Sequence, residues 1–270
     1  MTRPSARRAA AILGSGVVAL SSMALVATPA QAAPAPAAPA VAAATAPKLT
    51  FSLSRTSMTA GQSISARGKI TPNRSGYYVT LQRKSGTKWQ SLATKKVTSK
   101  GTYAVAARLT RGGTNGLRMA LRKGGKTVRV SAMKRVNVYA WHYLYDLETV
   151  TNDYYKRGSV SINGRYYPKS FYDSVWSESN TAEWNLGRKC TTFSAVAGQA
   201  DDSSSTNQRN RFEVYGDSAR LWTRDIGFGA GVPVTANISG ALRLKLADSP
   251  LTTNGYRYVA WGDARVLCRF

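Results

Sequence analysis

From Leu49 onward, apolar and polar residues alternate in short runs instead of recurring at helical spacing. Tyr77, Val79 and Leu81 share one face of a run, Tyr103, Val105, Ala107 and Leu109 share one face of another, and Leu117, Met119 and Leu121 do so in a third. A period of two is a strand signal. Turn clusters at residues 59–62, 71–73, 85–87, 112–116 and 124–125 separate about seven such runs before residue 138, the spacing of an antiparallel sandwich. Beyond residue 139, short strands are read at 160–162, 183–186, 191–196, 211–215, 219–222, 232–238, 241–246, 258–261 and 264–267, with no helical period anywhere long enough for a substantial helix. The pattern predicts an all-β protein of two β-sandwich domains, 48–138 and 139–270, the second jelly-roll-like.

The first 47 residues follow a different logic. Arg3, Arg7 and Arg8 precede an uncharged run from Ala9 to Ala27 and a small-x-small site at Ala30-Gln31-Ala32. That order reads as a signal peptide over 1–32, cleaved after Ala32. A membrane anchor is the competing reading, since the run is just long enough to span, but Gly14, Gly16 and three serines dilute it. After cleavage no stable membrane span is expected. Residues 33–47 are almost entirely Ala and Pro, a semi-extended linker. The protein is therefore expected outside the cell or on the cell wall, by either the general secretory or the twin-arginine route. Export also allows Cys190 and Cys268, the only two cysteines, to pair and close a 79-residue loop.

Charge then separates the two halves. The chain carries a formal +25, yet its first acidic residue is Asp146; 20 of the 38 basic residues fall between Lys48 and Arg135, and 15 follow Asp146 beside all 13 acids. A solvated surface is the ordinary explanation of scattered charge. Here it is less adequate, because this stretch has no acid to pair with and uncompensated like charges repel unless a polyanion supplies counter-charge. Arg118 and Arg122 are expected to point away from the Leu117, Met119 and Leu121 face, with Arg83, Lys84 and Arg129 at or near outward positions. These five are the candidate polyanion-binding residues. Teichoic or teichuronic acid, acidic polysaccharide, anionic lipid or extracellular DNA would each serve, with an anionic cell-wall polymer favoured. No recognition-helix or zinc-finger spacing supports specific nucleic-acid recognition.

Gly68-Lys69-Ile70, Val79 to Arg83, Lys88-Trp89 and Gly101-Thr102-Tyr103 resemble the small immunoglobulin-like modules appended to secreted actinobacterial proteins. Such modules act as spacers or adhesion elements. In the second half, Val160-Ser161-Ile162-Asn163-Gly164, Glu183 to Ala195, Gly198 to Ser203, Arg211 to Asp217, Val234 to Leu246 and Trp261 to Arg265 strongly resemble the NPCBM-type carbohydrate-binding modules found beside glycoside hydrolases. The resemblance spans about 143–268. It implies a galactose-binding-like jelly roll, sometimes calcium-bearing, that binds glycan through loops at one end.

A sugar site needs aromatic faces for the C–H side of the ring, and donors and acceptors for its hydroxyls. Loop-borne candidates are Trp176 with Asp173 and Asn180, and Trp261 with Asp263, although Asp263 fits a turn or an ion pair with Arg265 equally well. Trp184 and Trp222 lie in strand-like runs and read as core. Asp201 and Asp202 are weak calcium candidates in an acidic loop, whose plainer reading is solvation. Catalysis has little material: one histidine, His142, and no nucleophile-elbow or His-Glu-x-x-His motif. Paired carboxylates among Asp201, Asp202, Glu213, Asp217 and Asp225 leave a glycosidase as the least favoured reading. The favoured one is a secreted, non-catalytic carbohydrate-binding protein whose basic module holds anionic envelope polymer; the rival is a structural or adhesion scaffold without a sugar site.

Overall fold

A computed structural model describes residues 45–175, 178–252 and 256–270. The segments expected to be a signal peptide and linker, up to residue 44, and Trp176 lie outside the described residues.

The first half supplies β1 (Lys48–Leu53), β2 (Ser57–Thr59), β3 (Ser63–Thr71), β4 (Tyr78–Ser85), β5 (Lys88–Lys96), β6 (Thr102–Arg108), β7 (Gly113–Lys123), β8 (Lys126–Val130) and β9 (Lys134–Tyr143). Strands β1, β3 and β6 form one antiparallel sheet, and β5, β4, β7 and β9 run side by side in the other. The alternation seen in the sequence is the burial pattern: Ile64, Ala66, Val105, Val79, Leu81, Leu117 and Met119 are fully buried between these sheets. Gly68 is required by that packing. A Cβ there would sit 1.9 Å from the Thr50 carbonyl and 2.4 Å from Tyr103 Oη, and the Tyr103 hydroxyl donates to that same carbonyl. At Gly124-Gly125 both residues have positive φ, +53° and +79°, as a two-residue hairpin turn demands.

A single 3-10 turn (Leu144–Asp146) leads into β10 (Thr151–Asn152), β11 (Lys156–Ile162), β12 (Arg165–Val175), β13 (Asn180–Asn185), β14 (Cys190–Gln199), β15 (Arg209–Gly216), β16 (Ala219–Gly227), β17 (Gly231–Asn237), β18 (Arg243–Pro250) and β19 (Arg257–Cys268). One sheet runs β10-β13-β18-β15-β16; the facing layer runs β11-β12-β19-β14-β17. Their aromatic core joins Trp184 and Phe212 from the first layer to Phe171, Phe193 and Trp261 from the second. Trp261 lies edge-on to Phe193, Phe212 and Trp222.

Two departures from the sequence pattern have local causes. The runs at 258–261 and 264–267 are one strand, β19, interrupted by a bulge at Asp263, whose φ is +46°. Strand β12 was not foreseen, since Pro168 and the surrounding aromatics hide its alternation. The residue 138/139 boundary lies inside β9, whose early residues pair with β7 and β2, and whose Ala140–Tyr143 end pairs with β19. Residues Thr45–Phe270 accordingly form one compact unit with separate apolar cores. No helix among the described residues is long and apolar enough to cross a membrane. Cys190 and Cys268, opposite each other in β14 and β19, form the disulfide.

Candidate functional site

Strands β12, β13, β14, β15, β18 and β19 all reach the same end of the second sandwich, where they bury a run of polar side chains instead of apolar ones. Asp173, Asn180, Gln199, Asn210, Asp248 and Arg257 are each no more than 6% exposed. A buried polar group is costly unless hydrogen-bonded, and most of these are. The Tyr155 hydroxyl donates to Asp248, Trp261 Nε1 donates to Tyr155 Oη at 3.0 Å, and Asn180 Nδ2 donates to the Asp248 carboxylate at 3.2 Å. Arg257 Nε donates to Asn210 Oδ1, and Gln199 Nε2 to the Gln208 carbonyl at 2.7 Å. Three atoms of the cluster, Asn180 Oδ1, Gln199 Oε1 and Asn210 Nδ2, have no partner among the described residues.

This enclosure controls protonation. Burial pushes the Asp248 carboxyl up to about 7, against the opposing pull of the Tyr155 and Asn180 hydrogen bonds and the Arg257 charge. Burial first, then the nearby Asp248 carboxylate, moves the Tyr155 phenol well up. Asp173 is also raised by burial, moderated by the Ser174 backbone and by Lys156, 3.8 Å away.

The sequence-predicted sugar residues therefore need relocation. Asp173, Asn180 and Trp261 are not loop-borne: they lie in β12, β13 and β19 and are turned inward, so Trp261 offers no ring face to a ligand. Asp263 shapes the bulge, accepting the Lys169 backbone N–H at 3.1 Å. Its neighbour Gly262 seats the Tyr167 ring, which a Cβ would approach to 2.8 Å. Asp201 accepts the N–H groups of Asn163 and Gly164 at 2.7 and 2.9 Å, closing the β11–β12 turn. It is not joined with Asp202 in a metal-type cluster; among the described residues no group of three or more His, Cys, Asp or Glu could hold an ion. The other carboxylates once open to a catalytic pairing are engaged too. Glu213 pairs with Arg220, Asp225 with Arg211, and Asp217 accepts the backbone N–H groups of Leu242 and Arg243.

What the sequence did not single out is a cleft of about 330 Å³ beside this end, lined by Tyr166, Tyr172, Asp201 and Asp202 together with Ser159 and Ser161. Tyr166 is 63% exposed. Its place opposite Ser161 in the β11–β12 hairpin follows from pairing across β12, the strand that the alternation failed to reveal.

On the first half, the five basic candidates divide. Arg118 lies over the Trp89 ring at 3.9 Å and donates to Gln82 at 2.9 Å, on the same face as Arg122 and Lys84. Arg83 and Arg129 pair with Leu117 and Leu121; Arg129 is exposed with the rest of β8, and Arg83 is half-buried. Arg83 reaches the rim, where it donates to Gln90 at 2.8 Å.

Residues 141–267, which make up nearly all of the second sandwich, match the model of the NPCBM/NEW2 domain. No curated protein matches the chain. Similar solved structures include the CBM51-2 and INT domains of Clostridium perfringens ZmpB, 11% identical, covering 70% of this chain and 40% of that one, with a TM-score of 0.41. The CBM51 of Clostridium perfringens GH95, solved with methyl-galactose, is 18% identical, covering 47% of this chain and 99% of that one, with a TM-score of 0.40. The CBM22 tandem of Paenibacillus barcinonensis Xyn10C is 13% identical, covering 78% and 80%, with a TM-score of 0.32. This chain thus spans well under two thirds of the ZmpB chain it matches.

Proposed function

We propose that this is an exported, non-catalytic glycan-binding protein in which the second sandwich contacts sugar and the acid-free half associates with an anionic cell-envelope polymer. The observation that carries the sugar reading is the Tyr166–Tyr172 cleft: two aromatic rings beside two carboxylates, within the residues that match the NPCBM/NEW2 domain. Rings take the apolar face of a pyranose while carboxylates accept its hydroxyls. Trp176 follows directly on β12 in sequence and stays a candidate on sequence grounds alone. The polyanion reading is supported by the absence of any acid before Asp146, and the immunoglobulin-like resemblance suits a spacer or adhesion role for that half. A scaffold role without sugar is favoured by one observation, the inward orientation of Asp173, Asn180 and Trp261.

The test is a glycan panel against the full chain and two variants, Tyr166→Ala and Trp176→Ala. Loss of about tenfold in affinity in Tyr166→Ala, the order expected for an aromatic anchor, supports the cleft, whereas a loss confined to Trp176→Ala favours the candidate read from the sequence instead. Glycan binding unchanged in both moves the site elsewhere, and no glycan bound by the unsubstituted chain leaves the scaffold reading.

A further inference from the structure

A second cleft, of about 450 Å³, opens on the first half where the end of β4, the loop before β7, β9 and Phe270 meet. Three exposed cations line it from three separate chain segments: Lys84 in β4, Arg111 in the loop and Arg135 in β9. Elsewhere on this sheet Arg118 is engaged with Trp89 and Gln82, and Arg122 with the Gly125 carbonyl at 2.6 Å. Lys84, Arg111 and Arg135 form none of the ion pairs among the described residues, all of which lie beyond residue 145.

The loop that carries Arg111 is held in place. Asn115, 5% exposed, donates Nδ2 to the carbonyls of Arg111 and Gly113 at 3.1 and 3.0 Å. Gly113, at φ +95°, lies so close to Phe270 that a Cβ would come within 2.5 Å of its main-chain oxygen. A pinned loop holds its charge at a fixed place, which lowers the ordering cost of binding.

A carboxylate presents two coplanar oxygens, which one guanidinium fork can meet. Cations converging from three segments instead match a group whose oxygens diverge in space. We propose that this cleft is a discrete site for a phosphate group of a phosphodiester polymer, bound by Lys84, Arg111 and Arg135. The assignment rests on the polyanion reading of the first half and narrows it to one place and one anion.

The experiment measures binding of the full chain to poly(glycerol phosphate) at fixed moderate salt. Arg111→Ala/Arg135→Ala is compared with Lys95→Ala/Lys96→Ala, which removes the same charge from β5 near its far end. The cleft pair is expected to weaken binding about tenfold or more, since charge-assisted contacts are lost, and the β5 pair by no more than about twofold. Equal losses overturn the site and leave the polyanion reading standing; no binding by the unsubstituted chain overturns both. Polygalacturonate bound as tightly, with the same dependence on Arg111 and Arg135, overturns the phosphate assignment. Lys84→Gln, a single exposed substitution, keeps the comparison usable should the double variant unfold.

Discussion

The two halves are built from the same short antiparallel strands but handle polarity in opposite ways. Among the described residues of the first half, the buried polar side chains are only Thr80 and Asn115, and the charges are all positive and carried outside. The second half buries Asp173, Asp248 and Arg257 together with a set of amides, and contains every ion pair given above. One half therefore completes its electrostatics internally and the other leaves them open. An open field invites a polyanion, whereas a closed polar network fixes the shape of the sandwich end on which sugar-binding loops would sit.

The largest effect should come from breaking the closed network. Asp248→Ala removes the acceptor for Tyr155 and Asn180 and the carboxylate facing Arg257. Loss of about 3 kcal/mol of unfolding free energy at pH 5, where the folded carboxyl still holds its proton, is expected, read by denaturant titration. Thr80→Val in the first half, where the hydroxyl meets only Thr94 at 2.9 Å, should cost about 1 kcal/mol or less. Comparable losses would erase the contrast.

Removing the disulfide by Cys190→Ala/Cys268→Ala comes next. Its 78-residue separation gives a ceiling of about 4.5 kcal/mol on chain-entropy grounds, and about 2–4 kcal/mol is expected because β14 and β19 remain paired. A shift near zero would mean that strand pairing alone closes the sandwich.

The same carboxyl makes a pH prediction. Asp248 is raised to about 7 in the fold from an ordinary value near 3.8, so the folded state holds the proton more tightly. Its contribution to stability is present below about pH 4 and is lost as pH rises through 7; Asp173, raised in the same direction, adds to it. The unfolding free energy of Asp248→Asn should lack most of this decline between pH 4 and 7. An identical slope in variant and parent would remove Asp248 as its source.

The smallest effect belongs to the open half. Trp89→Ala, which removes the ring beneath Arg118, should cost about 0.5–1 kcal/mol, with little change in the salt dependence of polyanion binding, because the charge remains.

The fold was largely legible because burial here follows alternation closely. In β6, Tyr103, Val105 and Ala107 are the buried positions, as their period of two requires. Alternation carries no information about a polar residue turned inward, and this is why Asp173, Asn180 and Trp261 looked loop-borne. Their burial depends on Tyr155 from the β10–β11 loop, Asn210 from β15 and Arg257 from β19 meeting at one end, a convergence that only topology produces. The Tyr166–Tyr172 cleft was hidden for a related reason, since β12 breaks its pattern at Pro168. Charge was the reverse case. The acid-free stretch was plain in the sequence, but which cations line one cleft, Lys84, Arg111 and Arg135, depended on pairing register and on the position of Phe270.

One measurement addresses the central contrast directly: binding of the full chain to a phosphodiester polymer and to a neutral glycan from the panel, each across a salt series. The account predicts that polyanion affinity falls steeply and linearly in a log–log plot, as ion release requires, while neutral-glycan affinity stays flat. Polyanion binding that survives high salt unchanged, or glycan binding that falls with it, would contradict the division of labour between the two halves.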